Sequence, residues 1–251
     1  MRIHSKAWTI FVLLMIVSAG LLSFWWQDLK QKRYESSLTS SYEYRIELTA
    51  DSILSNVTLY IPLPVINNTS SVGTNIVETD FNNNDPSWEY SLVDTEHGLM
   101  LCMKNKKVVP KYTTSNKYSE KRQRPSIDLS TTVSSNQTID TMNPMSNALV
   151  LMPKYNFTYS TDASKAYGKK AYYRSKDQFD YESRVYAYYE TSSNANVSIS
   201  VYMTGINQWW IGGWLFNKYW ENMEIKLSGS QDGWTIVNGE LFTGEGTYPE
   251  K

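Results

Sequence analysis

The sequence predicts an all-β fold: an antiparallel, β-sandwich-like ectodomain of about eight to ten strands behind a single N-terminal transmembrane helix. Two observations lead to this prediction. Residues 8–26 form a run without a charged side chain, and most of the later chain alternates polar and apolar residues with a period of two. Such alternation separates the core face of a half-buried strand from its solvated face.

The apolar run has the length and the borders of a membrane-spanning helix. Its nineteen residues would rise by about 28 Å as a helix, which is close to the thickness of bilayer hydrocarbon. Trp8 stands at one border and Trp25 and Trp26 at the other, as is typical of membrane interfaces. We therefore predict a short basic head over residues 1–6, a transmembrane signal-anchor helix over 7–27, and a lipid bilayer as its partner.

A secretory signal peptide is the alternative interpretation of the same run. Val17, Ser18 and Ala19 would serve as a small-residue cleavage site. Against cleavage, apolar residues continue past this point as far as Trp26, whereas a cleaved peptide normally turns polar at once. Both interpretations indicate export of the chain.

The predicted location is the cell membrane, as a single-pass protein with the bulk of the chain extracytoplasmic. Basic residues lie on both sides of the helix, so their distribution does not choose an orientation. Asn-x-Ser/Thr sites suit an exported, glycosylated domain, although a chain rich in Asn, Ser and Thr contains several by chance. The possible N-glycosylation sites are Asn56, Asn67, Asn68, Asn136, Asn156 and Asn196.

Composition limits the chemistry open to the chain. A formal net charge of −1 over 251 residues gives no general attraction to nucleic acid, so none is predicted as a partner. The single Cys102 allows no intrachain disulfide and, within an apolar run, is expected to be a small buried hydrophobe. With His4 in the head, only His97 could serve a catalytic triad, and several imidazoles cannot surround a zinc ion. We predict no catalytic residue, metal or cofactor.

The ectodomain, residues 41–251, follows a predicted stalk at 28–40 and begins with short strands. Pro62 and Pro64 are expected to end the second strand, because proline cannot donate to a ladder, and a loop over residues 67–73 follows them. His97 is expected in a solvated turn of the first hairpin. Strands are predicted at residues 41–49, 57–61, 88–93 and 99–103, the last two as that hairpin.

One polar segment has the beginning of a calcium-binding pattern. Asp80, Asn82 and Asn84 have the alternate spacing that opens a calcium loop. Asp85 replaces the glycine of that motif, and no glutamate closes the ligand shell. A plain Asn/Asp turn is the preferred interpretation.

Two basic segments are predicted to be solvated. Residues 104–125 are expected to form a polar basic loop, with contact to an acidic surface polymer or to lipid headgroups as the alternative. Residues 165–176 mix basic side chains with tyrosines, a combination that can stack on nucleic-acid bases. In an exported chain of balanced charge, tyrosines packed against strands are the favoured interpretation.

The C-terminal third has the strongest strand patterns. Residues 181–189 and 197–204 alternate and are joined by a short Ser/Asn linker, so we predict an antiparallel hairpin. Asn238 and Gly239 form a two-residue turn signal between two further strands. At most one short helix is expected, near residues 213–217.

Tryptophans concentrate in the same third, and Trp209, Trp210 and Trp214 are the candidate ligand-binding residues. Exposed rings can cover the apolar faces of sugars while nearby amides bond to hydroxyls, as in a glycan-binding module. The competing interpretation is a thick core in which these rings pack together, with Gly212 and Gly213 allowing close backbone approach.

Five segments stand out as longer motifs: NVTLYIPLP, the DTMNP segment at residues 140–144, NQWWIGGW, GSQDGW and VNGELFTGEGTY. Together with the short N-terminal anchor they resemble N-terminally membrane-anchored surface proteins of methanogenic archaea. The resemblance covers most of the exported part and implies a surface location and a β-rich fold. No activity is attached to these proteins, so the resemblance carries no functional residue to this chain.

These patterns predict a membrane-anchored extracytoplasmic surface or envelope protein with a non-catalytic structural or interaction role. Its partner would be a cell-surface polymer or an envelope protein, and the patterns indicate no particular oligomeric state. One alternative is the glycan-binding module. Another is a β-sandwich glycosidase or lyase, whose two facing carboxylates stand about 5 to 10 Å apart. Glu182, Glu190 and Glu221 lie near the aromatic region.

Overall fold

A computed structural model describes residues 3–79, 87–114, 121–160 and 177–248. Within these ranges the chain is all-β apart from the N-terminal helix and two short ones, which confirms the predicted fold class. The elements are α1 Ile3–Ser37, β1 Thr39–Ala50, β2 Leu54–Val65, α2 Ser71–Glu78, β3 Trp88–Thr95, β4 Gly98–Val108, β5 Lys111–Thr114, β6 Lys121–Arg124, β7 Ile127–Ser135, α3 Pro144–Asn147, β8 Val150–Met152, β9 Tyr155–Tyr159, β10 Asp177–Glu190, β11 Asn196–Trp210, β12 Trp214–Ser228 and β13 Gln231–Gly246.

Eleven of the strands form one antiparallel sheet that curls around a single core. Their order is β3-β4-β2-β10-β13-β12-β11-β1-β7, with β8 beside β2 and β9 beside β10. Four strands separate β1 from β2 in this order, yet the Tyr44 hydroxyl on β1 donates to the Pro62 carbonyl on β2 at 2.7 Å. A bond across that separation requires the two halves of the sheet to face each other.

Strict alternation supplies the core. Every second residue of β1 and β11 points inward, as the period of two predicts. Burying each large apolar side chain stabilises the fold by about 1.5–3 kcal/mol relative to leaving it in water. The inward residues of these two strands include Tyr42, Tyr44, Ile46, Leu48, Val197, Ile199, Val201 and Met203.

Helix α2 covers the opening between the two edge strands of the curled sheet, β3 and β7. It begins at Ser70, whose hydroxyl accepts a hydrogen bond from the Gly73 amide at 2.9 Å. A Cβ on Gly73 would stand 2.8 Å from the end of the Leu92 side chain on β3, so glycine allows this approach without displacing that side chain. On the other side, Thr131 of β7 donates to Asn75 at 2.8 Å. A loop was expected at residues 67–73, and it is shorter because this helix begins at Ser71.

The described residues contain thirteen strands, more than the eight to ten expected. The prediction of a polar loop over residues 104–125 accounts for much of the difference. The first part of that segment continues β4, because Asn105 and Val108 face inward while Lys104 and Lys106 point to solvent. The next part contributes β5 and β6, which pair with each other as a separate two-stranded sheet.

Strand β2 continues through both prolines that were expected to end it. Pro62 pairs with Met100 of β4, and Pro64 pairs with Leu151 of β8. The ladder between β2 and β10 includes no residue of β2 beyond Tyr60. Past Tyr60 the backbone of β2 therefore makes no ladder with β10. Proline, which has no N–H to donate, is tolerated on a strand side that is not paired in this way.

The predicted hairpin between residues 181–189 and 197–204 is wrong. The two segments belong to β10 and β11, which lie apart with the β12–β13 hairpin between them. Their connection arches over the turn of that hairpin, where the Gly229 amide donates to the Ala195 carbonyl and the Thr191 amide donates to the Ser230 hydroxyl, both at 2.9 Å. The short β10–β11 connection therefore crosses the ends of β12 and β13, and hydrogen bonds to the turn between those strands hold it there.

The Asn238-Gly239 pair is not a turn, since β13 runs through it without interruption. Gly239 instead makes room for a ring. A Cβ at this position would stand 2.4 Å from the Tyr181 ring on β10. The short helix expected near residues 213–217 is also absent, because β12 begins at Trp214 and pairs with β11 from that residue on.

Replacing Gly239 by alanine tests this contact. We expect Gly239→Ala to lower the free energy of unfolding by about 1–3 kcal/mol, because the added methyl group overlaps the buried Tyr181 ring. Gly213→Ala is the matched control, since a Cβ there has open space around it. Chemical denaturation of both variants in the same detergent measures the difference, and equal stabilities would contradict the proposed role of Gly239.

Candidate functional site at the helix–sheet junction

Helix α1 exposes an apolar surface that nothing in the described chain covers. The segment Phe11–Ser37 is long and apolar enough to cross a membrane, and none of its most apolar window is buried. Its exposed side chains include Phe11, Leu14, Ile16, Leu21, Leu22, Phe24, Trp25 and Trp26. A soluble helix of this length normally buries one face against a core, and this segment buries none of its most apolar window.

The segment predicted as a stalk, residues 28–40, was expected to prolong the helix for a turn or two before a Ser/Thr-rich joint, and in the structure it contains the last turns of the helix and the start of the first strand. Helix α1 continues to Ser37, strand β1 begins at Thr39, and Leu38 alone joins them. Side-chain contacts one turn apart support the extra helical turns, with Lys32 paired to Asp28 at 2.8 Å. A single linking residue leaves little freedom between the helix and the sheet.

The last two turns of α1 pack against the end of β11. The Trp210 amide donates to the Ser37 hydroxyl at 2.9 Å. The Tyr34 ring meets the Trp209 ring edge-on, with centroids 5.5 Å apart. The Arg33 guanidinium lies 5.5 Å from the centre of the Trp210 ring, within the range of a cation–π contact. The junction is therefore a packed interface.

The three candidate tryptophans do not share a face. Trp209 is 2% exposed and belongs to the interior, as the core interpretation predicts, whereas Trp210 is 39% and Trp214 71% exposed. Adjacent strand residues point to opposite faces, which separates Trp209 from Trp210. Trp210 and Trp214 form a cross-strand pair at the tip of the β11–β12 hairpin. The structure thus brings together two of the three predicted residues.

A second aromatic cluster, which no local sequence pattern indicates, lies on the outer surface. Tyr60, Tyr186 and Trp234 pack together on neighbouring strands, with the Tyr60 and Tyr186 rings stacked at 4.9 Å. His97, expected in a solvated turn, packs edge-on against Trp234 at 4.6 Å and bonds to the Tyr155 hydroxyl at 3.1 Å. Each of these strands alone shows only an outward aromatic residue. The cluster becomes visible only when the cross-strand register, which places these residues side by side, is known.

A cavity of about 300 Å³ opens beside His97. Its walls are mainly apolar and include Val65, Leu99, Met145, Val150 and Met152. His97 is the only described titratable side chain in this wall, so the cavity offers space for an apolar group without a paired acid and base.

Glu221 does not face an open cleft. Its carboxylate is completely buried, where it accepts from the Leu151 amide at 2.9 Å and pairs with the buried Lys154 ammonium. Burial lowers the pKa of Lys154, and the neighbouring Glu221 carboxylate opposes that shift. The Tyr181 ring lies 4.4 Å from the same ammonium. This ion pair fixes β8 and the residues after it to the interior of the sheet.

The three acids considered for glycoside hydrolysis do not form a catalytic pair. Glu182 and Glu190 stand eight residues apart on β10, which separates them by roughly 26 Å along an extended strand. Glu182 points outward beside Arg184 at 3.6 Å, whereas Glu221 faces inward from β12. In the part of the chain that the structure describes, no group of three or more His, Cys, Asp or Glu side chains could hold a metal ion.

Two polar segments lie outside the described residues. They are the calcium-like pattern around Asp80, Asn82 and Asn84 and the basic segment at 165–176. Cys102, by contrast, is described and buried, as its apolar surroundings predict.

The possible glycosylation sites are all exposed, but they differ in their contacts. Four of the six have a left-handed backbone that asparagine tolerates better than most residues, which is a conformational reason for asparagine there. They are Asn56, Asn67, Asn68 and Asn156. The side-chain amide of Asn196 donates to the Asp51 carboxylate at 2.8 Å, while Asn136 is exposed after β7.

Comparison with protein-family models, curated proteins and solved structures finds no match to this chain.

The buried ion pair gives a stability prediction. We expect Lys154→Met to lower the free energy of unfolding by about 3–5 kcal/mol, because it leaves the Glu221 carboxylate buried without its cation. Lys226→Met is the matched control, since it breaks the exposed pair with Glu224 and should change stability by less than about 0.5 kcal/mol. Denaturant unfolding at neutral pH compares them, and equal effects would contradict a stabilising role for the buried pair.

The Asp51–Asn196 contact predicts a pH dependence. Hydrogen bonds from the Asn196 side chain and amide lower the pKa of Asp51 below 3.8. The contact therefore stabilises the fold above pH 3.8 and is lost as the pH falls through the lowered value. Asp51→Ala should be less stable than the parent at neutral pH, with a smaller difference in strong acid. Adding Asn196→Ala to the Asp51→Ala variant should lower the free energy of unfolding little further, because the contact is already lost. A stability difference between Asp51→Ala and the parent that does not change with pH would contradict the assignment of the lowered pKa to this contact.

Proposed function

We propose that the chain is a membrane-anchored, extracytoplasmic surface or envelope protein with a non-catalytic structural or interaction role. The observation that carries this proposal is the exposed apolar surface of α1 joined through Leu38 to a sheet that has its own core. Lipid would cover the helix, and the polar outer face of the sheet would remain in water. The bilayer is thus one partner of the chain.

Other contacts would involve the surface of the sheet domain. The aromatic cluster of Tyr60, Tyr186, Trp234, His97 and Tyr155 and its neighbouring cavity form a partly exposed region. Charged side chains border it, since Arg184 lies over the Tyr155 ring and Asp232 accepts from the Tyr186 hydroxyl. Partly exposed aromatic rings beside an apolar cavity are typical of surfaces that bind a partner. We propose this cluster as the contact with a cell-surface polymer or an envelope protein.

The two alternatives have weaker support. A glycan-binding module of Trp209, Trp210 and Trp214 would lack the first ring, because Trp209 is buried against Tyr34. A glycosidase or lyase would need two carboxylates facing each other in a cleft. The buried position of Glu221 and its pairing with Lys154 argue against that arrangement.

A cysteine-accessibility experiment tests the proposed location. Single cysteines replace Ser193, in the exposed β10–β11 connection, and Lys6, in the head, both in a Cys102→Ala chain. In intact cells a membrane-impermeant maleimide should label the Ser193→Cys protein, whereas the Lys6→Cys protein should react only after permeabilisation. The chain should also stay in the membrane fraction at alkaline pH, where peripheral proteins are released.

Each contrary result points to a different error. Labelling of Ser193→Cys only after permeabilisation would contradict the extracytoplasmic location. Recovery of the intact chain in the alkaline supernatant would contradict the anchor itself. Each variant is also labelled after denaturation, which confirms that its cysteine is present and that the maleimide is reactive.

A further inference from the structure

We propose that the tip of the β11–β12 hairpin is a second membrane contact, in which Trp210 and Trp214 lie at the level of the lipid headgroups. This inference rests on the proposed membrane insertion of α1. It assigns the exposed tryptophans to lipid, and it makes the helix and the hairpin tip two fixed points of contact with one bilayer surface.

The direction of β11 brings the tip back along the helix. Strand β1 leaves α1, and β11 runs antiparallel to β1, with Gln208 opposite Thr39. The next residues of β11 then meet α1 itself, because Trp209 contacts Tyr34 and Trp210 contacts Arg33. Residues 211–213 continue in the same direction, from the end of α1 toward its apolar part.

Two contacts set the level of Trp210 along α1. Its backbone amide bonds to Ser37, eleven positions after Trp26, and its ring lies beside the guanidinium of Arg33, seven positions after Trp26, which is about 16 Å and about 10 Å along a helix. The headgroup region adds about 5–8 Å to each side of the hydrocarbon. Residues 211–213 extend from Trp210 toward the bilayer by up to about 3.3 Å per residue. The turn and the tryptophan rings therefore approach the outer edge of that region.

The side chains at this end suit an interface between lipid and water. Tryptophan and tyrosine are enriched there because their rings are apolar and their N–H or O–H groups bond to water or headgroups. Trp214 is 71% exposed, the largest exposed fraction among the described ectodomain tryptophans. Tyr159 at the end of β9 and Tyr248 after β13 are also exposed at the end of the sheet where α1 joins.

The base of the hairpin is rigid enough to hold the tip in place. Asn207 and Asn217 face each other across β11 and β12, and the Asn207 side chain donates to Asn217 at 2.7 Å. Asn207 also donates to the Ile139 carbonyl at 2.8 Å and accepts from the Ile139 amide at 2.9 Å. These buried bonds tie the hairpin to the segment after β7, so the position of the tip follows that of the whole sheet.

Depth-dependent fluorescence quenching tests the proposal on the full chain. An environment-sensitive probe is placed on Gly213→Cys, Ser193→Cys or Leu22→Cys in a Cys102→Ala chain, which is reconstituted in phosphatidylcholine–phosphatidylglycerol vesicles. Gly213 is suitable because a Cβ there has open space. Nitroxide on the headgroup should quench the Gly213→Cys probe at least about twice as strongly as the Ser193→Cys probe at the far end of the sheet.

The Leu22→Cys probe separates the two levels of the proposal. Nitroxide in the acyl chain should quench it, because Leu22 lies within the apolar run. If that probe is quenched and the two ectodomain probes respond equally, the anchor is correct and the hairpin contact is overturned. If the Leu22→Cys probe is not quenched, the anchor fails, and the hairpin contact fails with it.

Substitution of Trp214 identifies the group responsible. Trp214→Ser should reduce quenching of the Gly213→Cys probe toward the Ser193→Cys value, because this largely exposed ring supplies affinity for the interface, whereas the Trp210 ring also packs against Arg33 in the junction. Ile236→Ser is the matched control, since Ile236 is an exposed apolar residue on the outer face of β13. Unchanged quenching in the Trp214→Ser variant would overturn the role of the ring. Heat from oligosaccharide titration that disappears in Trp214→Ser, without headgroup quenching, would assign the tip to a glycan instead.

Discussion

The single residue between α1 and β1 is the constraint on which the rest of the arrangement depends. Because Leu38 alone joins the two elements, the first strand starts at the helix end and its direction is set there. Its antiparallel neighbour β11 must then return to the same point, and the contacts of Tyr34 with Trp209 and of Ser37 with Trp210 follow from that return. A flexible linker would have left the helix and the sheet independent, whereas a packed junction transmits the position of one to the other.

The sheet itself is held together by contacts that cross its interior. Tyr44 on β1 bonds to β2, and the Tyr219 hydroxyl on β12 donates to the Leu149 carbonyl just before β8. Burial raises the pKa of both tyrosines well above the ordinary value, so they remain neutral donors under all ordinary conditions. A glycine opposite the ring makes room in at least one case, since a Cβ on Gly205 would overlap Tyr219. Tyrosine rings, with glycines that make room for them, thus occupy part of a core that is otherwise mostly aliphatic.

Local patterns in the sequence predicted the faces of the strands but not their neighbours. The alternation in β1, β10 and β11 correctly separated buried from exposed residues, because it depends only on the backbone period of two. Pairing depends on distant segments. For that reason the order β10-β13-β12-β11 was missed, and Gly239 was interpreted as a turn although it accommodates a ring from another strand. At the candidate site, composition singled out Trp210 and Trp214, whereas the cluster around His97 required cross-strand register.

An exposed pair of tryptophans at a rigid hairpin tip requires a physical reason. Core packing does not supply one, because most of the Trp214 side chain is exposed. Folding does not require it either, since β11 and β12 pair along their whole length and Asn207 and Asn217 close a buried polar network below the tip. Exposed aromatic area costs free energy in water and is stabilised when it meets an interface. Because the apolar run of α1 ends a short distance before Arg33, the bilayer surface proposed for that helix would be the nearest such interface.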